Sequence, residues 1–311
     1  MTLPQDVIGV DIAKGWIDVF YRATARHERI ATTKEALACF ARVAKGTLVV
    51  LEASGGYERP LTDALARAGT EYARVNPRQA REFARAMGRL AKTDRVDAWV
   101  LAEMGHRLGL KPTPPEDPDR ARLSALVARR EDLGAMIRAE KNRAGTARDA
   151  WTLREIAGLI RVLERHLARV EEAIASLVAS SPQLSAEARR LCTVPGIGPT
   201  LVAVILARLP ELGQLDAKRI AALAGLAPQA CDSGLHRGKR RIWGGRADLR
   251  RALYLAGFIA SRYDPAIKAF RTRLEATGKP AKLAITACAR KLLTILNAMM
   301  RDHTDHLKRA A

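Results

Sequence analysis

Asp11, Glu52, Asp94 and Asp97 are the residues of this sequence whose types and spacing suit joint chemistry. Asp11 closes the apolar run Val7-Ile-Gly-Val-Asp11, Glu52 closes Thr47-Leu-Val-Val-Leu-Glu52, and Asp94 and Asp97 stand three apart in Lys92-Thr-Asp94-Arg-Val-Asp97. Carboxylates are hard oxygen ligands. Several are needed to hold a pair of Mg²⁺ ions about 3.5–4 Å apart, which activate a nucleophile and steady a leaving oxygen. Mn²⁺ is the substitute ion for such a ligand set. Asp94 and Asp97 alone have a plainer explanation, because Thr93 or Asp94 can cap a helix and Asp97 can favour its dipole. Asp11 and Glu52 do not, since an acid at the end of an apolar strand lies where α/β sites are built.

A second group of residues points to a polyanion. Lys and Arg number 53 against 33 Asp and Glu, the formal net charge is +20 and the isoelectric point about 10.5. Charge of this size favours nucleic acid. The stretch Asp232 to Arg251 concentrates it: Arg237, Lys239, Arg240, Arg241, Arg246, Arg250 and Arg251 stand with His236 against only two acids, Asp232 and Asp248. A solvated face normally mixes signs, so these basic residues read as phosphate contacts. Upstream, Val194-Pro-Gly-Ile-Gly-Pro-Thr200 is similar to the turn of a helix-hairpin-helix module. There Gly196 and Gly198 would let backbone N–H groups approach a phosphate, unless the segment is an ordinary tight turn.

The elements that must position these groups fall into three zones. Hydrophobic patterning predicts strands near 7–11, 16–21, 28–32, 47–51 and 71–75 and helices near 34–44, 57–68, 77–87 and 94–108. Antiparallel hairpins followed by strands alternating with helices give a mixed sheet. The ribonuclease H-like version of that sheet sets the first strand beside the fourth, which brings Asp11 to Glu52. The closely spaced prolines of Lys111–Pro118 end the first domain near residue 112. Residues 119–184 read as a helical hairpin or coiled-coil arm, from apolar steps of three and four at Ile160, Leu163, Leu167, Val170, Ile174 and Leu177. Residues 185–311 read as a mostly helical domain.

Other classes are disfavoured. No run approaches the roughly 18 apolar residues of a membrane span, and Met1–Asp6 lacks a secretory pattern, so a cytoplasmic protein with no membrane partner is expected. Cys39, Cys192, Cys231 and Cys288 are far apart, with no zinc or disulfide spacing, and read as buried thiols.

Taken in order, Asp11, Glu52-Ala-Ser-Gly-Gly-Tyr57, Asn76-Pro77, Lys92-Thr-Asp94-Arg-Val-Asp97, Val194-Pro-Gly-Ile-Gly198, Leu223-Ala-Gly-Leu-Ala-Pro228, Ser233-Gly234 and Leu249-Arg-Arg-Ala-Leu253 resemble the DEDD transposases of insertion sequences, related to Piv-type DNA invertases. The resemblance covers nearly the whole chain. It implies a RuvC-like catalytic domain of the ribonuclease H fold at 1–112, with Asp11, Glu52, Asp94 and Asp97 on Mg²⁺. It also implies a C-terminal transposase domain whose Ser233 attacks the DNA phosphodiester to form a phosphoserine intermediate. Its implied partners are donor and target DNA, a noncoding bridge RNA that pairs with both, and further copies of the chain as dimer or tetramer.

Ser233 has an independent rationale, because a covalent phosphoserine conserves the energy of the broken phosphodiester and the sequence carries no ATP-binding loop. Ser54 beside Glu52 is the rival serine, and His236 is a base or a phosphate contact. One departure is that Arg246 follows Gly245 where relatives commonly carry Asn, which keeps a phosphate donor there. Two other functions fit fewer residues. A Holliday-junction resolvase-like nuclease would use the same acids with water and leave the Ser233 segment idle, and a nucleic-acid organiser would leave the acids idle.

Overall fold

A computed structural model describes residues 6–91, 93–230, 232–233, 236–238 and 240–306. The chain forms two compact units, 1–115 and 116–311.

The first unit is mixed α/β. Its elements are β1 (Val7–Ile12), β2 (Trp16–Tyr21), β3 (Arg26–Ala31), α1 (Lys34–Val43), β4 (Leu48–Glu52), α2 (Arg59–Ala68), β5 (Glu71–Val75), α3 (Pro77–Ala86) and α4 (Asp94–Leu108). The sheet order is β3-β2-β1-β4-β5. β1, β2 and β3 pair antiparallel, and β4 runs parallel to both β1 and β5. This sheet is consistent with a ribonuclease H-like domain. β1 and β4 read as nearly unbroken apolar runs because both their faces are covered. Ile8, Val10, Val49 and Leu51 pack with α1 and α2 residues such as Leu37, Phe40, Leu61 and Leu65. Val7, Val50, Ala73 and Val75 pack on the other face with Ala98, Leu101 and Ala102 of α4.

Local signals set the helix ends. Thr33, Asn76 and Thr93 accept backbone hydrogen bonds at the starts of α1, α3 and α4, and left-handed Gly69 and Gly109 close α2 and α4. Beyond α4, Thr113 stays with this unit: its N–H donates to Tyr72 O at 2.7 Å and its Oγ1 accepts from Arg74 N at 2.8 Å.

The second unit is mostly helical, with α5 (Pro118–Thr146), α6 (Ala150–Ser180), α7 (Pro182–Cys192), α8 (Pro199–Arg208), α9 (Ala217–Leu223), α10 (Ala247–Tyr263), α11 (Pro265–Ala276) and α12 (Ala281–Asp302). Among the described residues, four two-residue strands lie between α9 and α10: β6 (Pro228–Gln229), β7 (Asp232–Ser233), β8 (His236–Arg237) and β9 (Arg241–Ile242). α5 and α6 form a hairpin, with Arg130–Glu171 at 2.8 Å and Lys141–Glu164 at 2.9 Å across it. Its base is not separate from the rest: Leu123, Val127, Ile174 and Leu177 share one core with Leu191, Ile205, Leu253 and Leu292. Farther out, Ile160, Leu163 and Leu167 are only half-buried.

α12 is long and apolar enough to cross a membrane by length and composition. Burial of Leu292, Leu293 and Leu296 in the core accounts for that hydrophobicity. The thiols correct the expectation of burial. Cys288 is buried, but Cys39 and Cys192 are exposed. On α1 the buried face is taken by Leu37, Phe40 and Ala41, so Cys39 turns outward. Cys231 lies outside the described residues.

Candidate functional site

β1 and β4 pair with Val10 opposite Leu51, so the next residues, Asp11 and Glu52, leave the ends of adjacent parallel strands together. α4 supplies the other two acids from its first turn, with Thr93 as the N-cap. Gly9 makes this approach close: a Cβ there would lie 2.0 Å from Ala98 O and 2.5 Å from Ala102 N. With no side chain at position 9, the start of α4 settles onto β1.

The electrostatics register the crowding. The Asp11 carboxyl is pushed from 3.8 to about 7, by burial first and then by the charges of Asp97, Glu52 and Asp94. The four acids therefore share one field. Among the described residues, no group of three or more His, Cys, Asp or Glu converges closely enough to hold a metal ion. Asp94 is instead drawn to Arg29, whose Nη2 lies 3.3 Å from it. The donor set still fits a hard divalent cation, since carboxylate oxygens are the ligands such an ion takes.

This shift has a consequence for stability. Without metal, native Asp11 keeps its proton up to about 7, whereas the unfolded carboxyl releases it near 3.8. Across that window native Asp11 binds more protons than the unfolded carboxyl, so its own contribution to stability falls as pH rises and levels off above 7. Asp11→Asn is expected to remove that contribution. In melting curves without metal, the variant should gain on wild type between pH 4 and pH 7, reaching on the order of 5 °C, and hold that gain above pH 7. A gap that stays constant with pH would contradict the crowding.

Sequence reading missed three residues here. Asp18 stands opposite Asp11 in the β1–β2 register and therefore on the same face. Arg29 grips Asp18 through Nε at 3.1 Å and Nη2 at 2.9 Å, and lies over the Trp16 ring at 4.8 Å. Both follow from counting through the Lys14-Gly15 turn. The third, Glu58, is buried and accepts hydrogen bonds from Ser54 N, Ser54 Oγ and Gly56 N at 3.2, 2.9 and 2.8 Å. These bonds hold its carboxyl below the usual range against the opposing effect of burial. Glu58 thus pins the loop after Glu52 and occupies the hydroxyl of Ser54.

Ser233 lies in the second unit, exposed on β7 and opposite His236 of β8 in register. The Asp232 carboxylate accepts from Gly238 N at 3.0 Å. At the base of this segment Gly225 and Gly245 touch, for a Cβ on Gly245 would meet Gly225 N at 2.3 Å.

The basic residues divide. Arg240 and Arg241 are exposed and make no ion pair among the described residues. Arg251 pairs with Asp248. The Arg237 side chain and Lys239 lie outside what is described. Arg246 is engaged inside the fold: its guanidinium grips Glu211 with two bonds of 2.7 Å and donates to Arg208 O at 2.8 Å. Arg250 likewise donates to Gly244 O at 2.7 Å. These two arginines brace the turn before α10. Arg246→Gln is expected to cost about 1–3 kcal/mol of stability while leaving the salt dependence of DNA binding unchanged. A reduced salt slope at unchanged stability would restore it as a phosphate contact.

Gly196 has a packing role of its own. At φ +90° it packs against α10, with Ala260 N only 3.1 Å from where a Cβ would sit. Gly198 is different: it is exposed, opens onto free space, and caps α8 with no side-chain bond to the first-turn N–H groups.

Comparison with known proteins covers both units. A transposase family model of the DEDD IS110 type matches residues 8–147, and one for the transposase IS116/IS110/IS902 family matches 188–272. The pilin gene-inverting proteins of Moraxella lacunata and Moraxella bovis are each 30% identical over 266 residues, covering 84% of this chain and 82% of the relative. A 43.6 kDa protein of insertion element IS110 from Streptomyces coelicolor is 34% identical over 122 residues, covering 38% of this chain and 30% of that protein.

Proposed function

The chain belongs to the IS116/IS110/IS902 transposase family and is a DNA recombinase, and from that premise we propose that it cuts and rejoins DNA through Ser233, with Asp11, Glu52, Asp94 and Asp97 holding Mg²⁺. DEDD transposases are generally dependent on a divalent metal ion. The observation that carries the reading is the placement of Asp11 and Glu52 at the ends of the paired strands β1 and β4, with Asp94 and Asp97 in the first turn of α4. When bound, Mg²⁺, or Mn²⁺ in its place, lowers the charge penalty on the attacking and leaving oxygens.

The protein's own groups have separate tasks. Asp11 and Glu52 are fixed at the strand ends and Asp94 and Asp97 are carried by α4, while Glu58 orders the loop after Glu52. Ser233 Oγ forms a bond to phosphorus as the phosphorus–deoxyribose oxygen bond breaks. The serine proton passes to a base and the leaving oxygen takes one up, so the step consumes no ATP and reverses to reseal the strand. Gly198 at the start of α8 and Arg237, Lys239, Arg240, Arg241 and Arg251 serve as phosphate contacts.

Residues 1–112 act in this reading as a RuvC-like catalytic domain and 185–311 as the transposase domain bearing the serine. The hairpin of 119–184 is the coiled-coil arm through which copies assemble as dimer or tetramer. Exposed Trp151, Leu159 and Val162 on α6 support an assembling role. Sequence choice rests with a noncoding bridge RNA that pairs with donor and target DNA in the cytoplasm. The test is covalent capture: labelled donor and target DNA, Mg²⁺ and the adjacent noncoding RNA are mixed with protein and separated under denaturing conditions. A protein–DNA adduct that requires the RNA is expected. Cleavage without an adduct would replace the serine with water, as in a resolvase-like nuclease.

A further inference from the structure

On the side of α4 away from Asp94 and Asp97, a pocket of about 230 Å³ is lined by His27, Arg89, Arg95, Val96 and Trp99. Its lining is one-sided in charge. Arg89 and Arg95 are both exposed, make no ion pair among the described residues, and share the pocket with no carboxylate. By contrast, Arg22, Arg29 and Arg107 of the same unit are each held by an acid. Two arginines lining one pocket with no carboxylate among its walls repel each other, and an anion between them removes that cost.

The pocket is also built in advance. Arg89 is spread over the Trp99 ring, 4.8 Å from its centroid, and so is held in place before any ligand arrives. The loop that carries it is anchored by Arg81, whose Nη2 donates to Leu90 O at 2.9 Å. Arg95 stands in the first turn of α4, and His27 is packed against Phe20 with ring centroids 4.6 Å apart. Burial and the neighbouring Arg95 charge hold the His27 imidazole below its ordinary range, as a positive local field requires.

Position gives the pocket its use. His27 lies two residues from Arg29 along β3, on the same face and on the order of 7 Å away, and Arg29 touches Asp18 and Asp94. The geometry points to a phosphodiester-binding pocket, in which Arg89 and Arg95 hold a backbone phosphate of the polynucleotide strand that runs past the four acids. This rests on the chain's action on nucleic acid but not on Ser233. A planar, forked guanidinium pair suits a phosphate's two free oxygens, and Trp99 with Val96 offers an apolar wall to the adjoining sugar or base.

The test is binding by the full chain without Mg²⁺, so that no cleavage enters the readout and failure of the serine mechanism leaves it untouched. Labelled DNA and RNA oligonucleotides are titrated at several salt concentrations with wild type, Arg89→Gln/Arg95→Gln, and Arg59→Gln/Arg67→Gln on α2 as an equal-charge control. Loss of two phosphate contacts should lower the slope of log affinity against log salt by about 1.4–1.8 and weaken binding roughly tenfold near physiological salt. The control should move neither by as much. Arg89→Lys/Arg95→Lys, which keeps both charges, should retain the wild-type slope and so separates lost contacts from lost folding. A loss confined to DNA or to RNA identifies the strand held. Equal slopes for the pocket and control variants on both nucleic acids, or a lysine variant as impaired as the glutamine one, would overturn the proposal.

Discussion

Ser233→Ala is expected to yield no covalent protein–DNA adduct at all, and Asp11→Asn to reduce the adduct on the order of 10³-fold. The two losses have different origins. Alanine removes the only atom that could bond to phosphorus in this scheme. Asparagine keeps the shape of Asp11 but removes its charge from the point where the fields of Asp97, Glu52 and Asp94 meet, and a neutral amide is a weaker ligand for a hard cation. Both substitutions should leave DNA binding nearly intact, because neither touches the basic residues that supply it. The result can fail in two informative ways. Full cleavage by Ser233→Ala would move the nucleophile to water. An adduct formed normally by Asp11→Asn would remove the acids from the reaction. Ser54→Ala serves as the comparison: with its hydroxyl held by Glu58 at 2.9 Å, its loss should loosen the loop after Glu52 yet leave the adduct on Ser233.

Gly9→Ala is expected to be the most damaging change of a single methyl group in the first unit. The added Cβ would meet Ala98 O at 2.0 Å and Ala102 N at 2.5 Å. Both are backbone atoms of α4, so no side-chain rotation relieves the clash, and the helix itself must move. Overpacking of this kind costs about 3 kcal/mol or more, equivalent to a fall on the order of 10 °C in the melting of a domain this size. Displacement of α4 also carries Asp94 and Asp97 away from Asp11. The Asp11 carboxyl, about 7 in the native protein, should therefore titrate closer to 3.8, which carboxyl-resolved NMR reads directly. Gly15→Ala, where an added Cβ meets nothing within 4 Å, should change neither quantity. Equal melting of the two variants would mean that α4 does not depend on position 9.

Much of this could be read along the chain. The run Val7–Asp11 becomes β1 (Val7–Ile12), the apolar residues before Glu52 become β4 (Leu48–Glu52), and Thr93, one of the two caps the pattern offered, caps α4. Local periodicity, capping side chains and helix-ending glycines set these limits, and each acts within a few residues. The pairing of β1 with β4, and so of Asp11 with Glu52, follows because only some connections of hairpin and βαβ are allowed.

What escaped the sequence depends on partners distant in the chain. Arg246 looked like a phosphate donor in a basic segment, yet it is held by Glu211, 35 residues away. Gly196 looked like part of a phosphate turn, yet it admits α10. Nothing in the run Val7–Asp11 marks Gly9 as a contact point, and only the fold sets Ala98 against it. The sequence by itself determined most element boundaries of the first unit, the four acids at strand and helix ends, and the family. Only the tertiary structure decided which arginines are spent inside the fold and which, like Arg89 and Arg95, pair with no acid among the described residues. A charge is free or paired according to what folding brings beside it, and that proximity is a property of packing rather than of spacing.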